Sequence, residues 1–286
     1  MNPAILKPLK QRIKRLLRRA RSTYVNRFYR FTPEDLCRTL KALGLASGDV
    51  VLVHSSFDRF EGFAGNVGDV IRALKESVGD QGTLLMPTLP FTGSAVDYAR
   101  AGGITDMQAT PSRMGLITEI FRRMPGVVRS VHPTHPVAAF GREAKDIVRD
   151  HHTAGTPCGR PSPYLRLLDR KGKILFLGAG IRSMVFFHAI EELLEGDMPF
   201  SPFTKDIFEL RTRNSEGQVI VTKTRLYDRS LSPKRDAEIM MPLLKANGWW
   251  KERRVGLLPV FLVEAQDVWN AVRLLAHQGV YCYRTS

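Results

Sequence analysis

KILFLGAGIRSMVFFHAIEELLEG, residues 173 to 196, passes from strand to helix within a few residues. Residues 173–177 form an apolar run short enough for a buried strand and bounded by glycine. Residues 183–196 are largely apolar but place Glu191 and Glu192 three and four positions beyond His188, where a helix sets them on or beside the histidine's face. Between them, Gly178-Ala179-Gly180 resembles the opening of a dinucleotide-binding turn. The third small position is Ser183, however, and the helix runs into MPFSPF instead of a second parallel strand. A tight turn that fixes where the helix begins is the better reading. Strand, turn and helix in this order are the unit of an α/β layered domain.

The alternation extends in both directions. FTPEDLCRTLKALGL (31–45) predicts a helix that starts after Thr32, with Pro33 in its first turn and a stop near Gly44. DVVLVHSS (49–56) predicts a buried strand, NVGDVIRALKESVG (66–79) an amphipathic helix and GTLLMPT (82–88) another strand. Residues 91–112 show no convincing period and read as a long loop. MGLITEIFRRM (114–124) reads as a helix, VVRS (127–130) and PVAAFG (136–141) as short strands. DIFELRTRN and QVIVTKTRLYD, joined at Ser215-Glu216-Gly217, predict an antiparallel hairpin that would make the sheet mixed. PKRDAEIMMPLLKANG, VGLLPVFLVEA and QDVWNAVRLLAHQG continue the alternation. One domain over residues 31–286 is the expectation.

With 286 residues, 43% hydrophobic and 25% charged, the chain has the balance of a globular protein and not of a disordered one. Cys37, Cys158 and Cys282 lie far apart, which points to neither a disulfide framework nor a thiolate zinc site and suits a reducing, cytoplasmic compartment. The formal charge of +15 is concentrated at one end. Residues 1–30 hold ten Lys or Arg and no acid, leaving 33 basic against 28 acidic residues beyond them.

Within that arm, Leu9, Ile13, Leu16 and Leu17 recur at helical spacing among Lys10, Lys14, Arg15, Arg18, Arg19 and Arg21. This is the pattern of a basic amphipathic helix lying peripherally on an anionic membrane surface. A presequence, a nucleic-acid arm and a helix packed on its own domain share the composition. Neither a transmembrane run nor a signal-peptide core is present in the sequence.

Three stretches carry polar chemistry. His188 has Glu191 and Glu192 within reach, and a carboxylate there could orient the imidazole, although the same spacing describes a core helix whose histidine is merely satisfied. Ser55 and Ser56 close a strand where open α/β sheets place their crevice, or simply form a polar turn. RSVHPTHPVAAFG (129–141) sets His132 and His135 three apart, but Pro133 breaks a helix there and no acid or cysteine stands close, so a metal site is not expected.

The blocks HSSFDRFEGFAGNVGDVIRALKESVGDQGTLLMPT, TPSRMGLITEIFRRMPGVVRSVHPTHPVAAFG, GRPSPYLRLLDRKGKILFLG and HAIEE, in this order, resemble the aminoglycoside 3-N-acetyltransferase family over roughly residues 34–275. The resemblance implies a three-layer α/β/α fold with a mixed sheet and acetyl transfer from acetyl-coenzyme A to an amine, without a metal. It makes His188 the general base and Glu191 its orienting carboxylate. The family's coenzyme-facing segments fall on Ser55, Ser56, Thr83, Thr88, Arg129, Ser130 and His132.

The chain departs from the family pattern at Arg182, where an aspartate is usual, at Ser183 and Val185, where threonines are usual, and at Pro136 after His135, where serine is. A fixed cation at Arg182 would repel a polycationic antibiotic. The expectation is therefore an N-acetyltransferase acting on an amino sugar of surface polysaccharide assembly. The alternatives are aminoglycoside resistance, or a non-catalytic membrane- or nucleic-acid-binding protein that keeps the fold. The pairing of His188 with Glu191 speaks against the last, and nucleic acid is the least expected partner.

Overall fold

The structure, a computed structural model, describes residues 3–284, with side chains from residue 14 onward. In chain order its strands are β1 Val50–Ser55, β2 Thr83–Pro87, β3 Ile104–Asp106, β4 Val128–Arg129, β5 Val137–Gly141, β6 Lys173–Leu177, β7 Phe203–Arg213, β8 Val219–Tyr227, β9 Lys251–Val255 and β10 Leu258–Glu264. Seven of them form one sheet in the order β4-β5-β2-β1-β6-β10-β9. Its centre, β2-β1-β6, is parallel, and β5, β4, β10 and β9 add antiparallel strands on both flanks.

Successive residues of each central strand point to opposite faces, as the two-residue period requires. Val50, Leu52, Leu85, Ile174, Phe176 and Val263 pack against the helices Pro163–Asp169, Phe187–Leu194 and Ala265–Ala276. Their neighbours Val51, Val53, Leu84, Leu175 and Leu262 pack against Pro33–Leu43, Val67–Val78 and Leu116–Phe121. Two cores on two faces make the three-layer α/β/α arrangement with a mixed sheet.

Local chemistry explains the helix limits. Thr32 caps Pro33–Leu43 through a reciprocal box with Asp35, and Gly44 ends it at φ 115°. Asn66 and Asp69 form the same box for Val67–Val78.

Two expectations are corrected. The hairpin β7–β8 does not make the main sheet mixed. It forms a separate three-stranded sheet with β3, because its alternating exposed residues leave only one side to bury. Residues 91–112 are not an unbroken loop either. Ser94 caps a helix over Ala95–Ala101, whose Ala95, Val96 and Ala99 pack on Leu226 of β8, and β3 follows.

A 26-residue helix, Pro3–Phe28, precedes the domain. It is tied down at its end by the buried Val25 and by a 2.8 Å ion pair from Arg21 to Glu61, while residues 14–24 are exposed. The side chains of Leu9, Lys10 and Ile13 lie outside the described residues. Among the described residues no helix is long and apolar enough to cross a membrane.

Candidate active site

The turn after β6 positions the site. Gly178 takes φ 66°, and a Cβ there would lie 2.6 Å from the Cβ of Arg59, so only glycine lets the chain leave the sheet at this point. A 3-10 turn over Ile181–Ser183 follows, held by Ser183 Oγ donating to the Gly180 carbonyl at 2.6 Å. The helix Phe187–Leu194 then buries Phe187, Ile190 and Leu194 and turns His188 toward a cavity of about 800 Å³.

His188 and Glu191 meet one turn apart at 2.5 Å. Because a carboxylate can only accept, Nδ1 of His188 carries the hydrogen and Nε2 is left as an acceptor on the cavity side. Glu191 is only 2% exposed, and its other oxygen accepts from Arg235 Nε at 2.8 Å and from the Tyr283 hydroxyl. Three donors thus fix the carboxylate that fixes the ring.

The ring of Tyr227 stacks on the imidazole at 4.1 Å between centroids and 24° between planes. Its hydroxyl donates to Glu192 at 2.7 Å. Glu192 also accepts from Thr156 Oγ1 at 2.5 Å and from the Cys158 amide at 3.3 Å. Burial nonetheless pushes its carboxyl up to about 7, against the pull of those hydrogen bonds. Glu192 is therefore the support beneath Tyr227, not a second base facing the cavity.

His135, His188 and Tyr227 form one side of the cavity, and Leu89, Phe91, Met184 and Phe187 give it an apolar wall. Four arginines reach it, and each has a carboxylate: Arg182 with Glu238, Arg229 with Asp97, Arg235 with Glu191 and Arg284 with Asp236.

The seven residues assigned to the coenzyme are placed elsewhere: none of them lines this cavity. Ser55 and Ser56 are half-buried at the end of β1. Thr83 is fully buried at the opposite end of β2, accepting from the Glu143 amide at 3.0 Å. Thr88 donates to the Pro136 carbonyl at 3.0 Å and accepts from Arg129, whose guanidinium also holds the carbonyls of Thr88, Met107 and Thr110. Ser130 pairs with His151 and accepts the Val137 amide, while Nδ1 of His132 accepts the amides of Thr134 and His135. The side chains of Thr83, Thr88, Arg129, Ser130 and His132 thus make hydrogen bonds within the protein. Among the described residues no cluster of metal ligands is present.

Sequence reasoning missed Tyr227, Arg235 and Tyr283, which sit 39, 44 and 92 positions from their partners in the site. No local pattern marks them.

Residues 52–276 match the family described as aminoglycoside 3-N-acetyltransferase. The chain is 34% identical over 177 residues to aminoglycoside N(3)-acetyltransferase VII of Streptomyces paromomycinus, covering 57% of this chain and 61% of that protein. It spans about three fifths of the length of the first curated relatives it matches. The crystal structure of aminoglycoside acetyltransferase AAC(3)-Xa superposes with a TM-score of 0.76 at 25% identity, covering 93% of this chain and all of that one. AAC-VIa bound to sisomicin superposes with a TM-score of 0.72 at 25% identity, over 87% of this chain and 98% of that one. With the match running through most of the sheet and the helix of His188, the chain belongs to the aminoglycoside 3-N-acetyltransferase family.

Proposed function

We propose that this protein transfers the acetyl group of acetyl-coenzyme A to a primary amine of an aminoglycoside-type amino sugar, with His188 as general base and Glu191 as its positioning residue. The observation that carries the reading is the His188–Glu191 contact at 2.5 Å, held by Arg235 and Tyr283 at the edge of the cavity. The relative bound to sisomicin supports the acceptor class.

An amine acceptor is an ammonium near neutral pH and must lose a proton before its nitrogen can attack. Nε2 of His188 is placed to take that proton, and Glu191 balances the imidazolium that forms. The coenzyme supplies the acetyl group as a thioester. The proton held on His188 then goes to the departing sulfur as the C–S bond breaks, which returns the ring to its neutral form, and the second proton that the nitrogen sheds as the amide forms passes to solvent. The cavity suits such a cosubstrate in kind: its apolar wall can take an acyl-bearing chain, and Arg229 and Arg284, each more than half exposed, can meet phosphate.

The sequence-based objection to a polycation weakens in the structure. Arg182 reaches the cavity but is paired with Glu238 at 2.7 Å, so its charge is offset where an acceptor would approach. A second reading, an amino sugar with fewer ammonium groups such as those of surface polysaccharides, is favoured by the four arginines on the lining against only Asp97 and Asp236.

Release of the coenzyme thiol, followed with sisomicin and with monoamino sugars as acceptors, tests both. Acetylation of sisomicin is expected, and preference for the monoamino sugars would install the second reading. His188→Ala is expected to cut turnover about 10²- to 10⁴-fold while calorimetric binding of acetyl-coenzyme A is retained. Near wild-type turnover in that variant, or no coenzyme binding by folded protein, refutes the assignment.

A further inference from the structure

The helix Pro3–Phe28 presents a surface that the domain does not use. Leu16, Leu17, Tyr24 and Phe28 are 64%, 65%, 55% and 62% exposed. At 3.6 residues per turn they fall, with Ala20, within an arc of about 120°. Val25, the one buried residue of the described stretch, stands about 120° from the middle of that arc and packs on the domain. The apolar stripe is therefore left uncovered by the domain.

Around it stand Lys14, Arg15, Arg18, Arg19, Arg21 and Arg27, all exposed, and the helix contains no acidic residue. Of these only Arg21 has an ion-pair partner among the described residues, Glu61, and Arg27 alone falls inside the stripe. A second copy of the helix is a poor occupant, because self-association would press like charges together with no acid to pair them. Nucleic acid would use the arginines but leaves two leucines, a tyrosine and a phenylalanine facing water. A surface that meets both halves of the pattern has anionic headgroups outside and acyl chains just beneath.

We propose that residues 14–28 dock the enzyme peripherally on an anionic lipid bilayer, with Leu16, Leu17, Tyr24 and Phe28 in the headgroup–acyl boundary and the basic residues among the headgroups. The helix lies in the plane of the membrane and leaves the acetyltransferase domain in water. This inference is independent of which amine the enzyme acetylates.

Sedimentation of the full chain with phosphatidylcholine vesicles, and with vesicles containing about one third phosphatidylserine, tests it directly. Binding is expected only to the anionic vesicles and is expected to fall steeply with salt. The double variant Leu16→Ser/Leu17→Ser, which keeps every charge and alters only exposed positions, is expected to bind at least about tenfold more weakly. Arg18→Gln/Arg19→Gln is expected to weaken binding as well. Thermal unfolding equal to wild type shows that both variants are folded. The proposal is overturned if wild type does not sediment with the anionic vesicles, or if the leucine variant sediments as wild type does. It is likewise overturned if wild type and the leucine variant bind duplex DNA equally and in preference to the vesicles.

Discussion

Glu191 and Glu192 are adjacent in the chain and do opposite work. Glu191 accepts from Arg235, Tyr283 and His188, so it aims the imidazole and, in the proposed reaction, would offset the positive charge of a protonated ring. Glu191→Gln puts an amide where two acceptor oxygens are needed, and either His188 or Arg235 loses its partner. The expected result is a fall in kcat of about 10²-fold or more with little change in coenzyme affinity, read by steady-state kinetics beside calorimetry. Glu192 faces inward, and its carboxyl sits at about 7 where an ordinary one sits at 4.5. The folded state thus holds a proton that the unfolded chain releases, so stability falls as pH rises between those values, by about 3 kcal/mol in all. Glu192→Gln is expected to match wild type near pH 4.5 and to exceed it in stability at pH 8. Urea unfolding at the two pH values checks this, and an equal difference at both would show that the carboxyl does not titrate. That a carboxylate would face His188 was legible in the sequence because residues three and four apart are neighbours on a helix, while the choice of Glu191 came from the family resemblance. Nothing local distinguished the supporting role of Glu192.

At the scale of the element, the turn after β6 sets the helix of His188. Gly178→Ala would force a Cβ against Arg59 and Leu258 in a left-handed backbone conformation. The expected cost is about 1–3 kcal/mol, together with a loss of turnover, because the residues leading to His188 must shift. Denaturant unfolding and thiol release on the same sample would show both, and unchanged kinetics would mean that the turn does not govern His188. Thr32→Ala removes half of a capping box far from the site, with an expected cost of about 1 kcal/mol and no kinetic effect. Elements with such signals were readable in advance: Thr32 and Gly44 mark the ends of Pro33–Leu43 by local chemistry that acts within four residues. The helix Ala95–Ala101 escaped because seven residues give its apolar face too few repeats to establish a period. The placement of β7–β8 escaped because a hairpin's own pattern says which face is buried but not which sheet it joins.

Across the whole molecule, His54, His132, His135 and His151 are buried, and burial drives each of them far below the usual imidazole range, to about 3 for His54 and His151. The unfolded chain binds protons at these four sites from about pH 6.5 downward, and the folded chain does not. Each then removes about 1.4 kcal/mol of stability per pH unit, Glu192 returns about as much over the same range, and the net loss still reaches several kcal/mol within one to two units. Cooperative acid unfolding between about pH 6 and 5 is the expected outcome, followed by near-ultraviolet circular dichroism. Retention of the native signal at pH 4.5 would show that the histidines become solvated without global unfolding. The layered fold was legible because strands buried on both faces read as continuous apolar runs flanked by amphipathic helices. The histidine cluster was not, since His132 and His151 stack at 4.4 Å only after 19 residues of chain fold back.

The hydrogen bond from Tyr283 to Glu191 also bears on timing during synthesis. Glu191 is made 92 residues before the hydroxyl that helps to hold it, and Arg235 arrives only midway. A ribosome-bound chain that already contains the helix of His188 therefore lacks a finished charge network. We expect a nascent chain to gain activity only once the segment around Tyr283 has emerged and folded back; a ribosome-stalled chain ending before Tyr283 that releases coenzyme thiol as fast as the full protein would refute this.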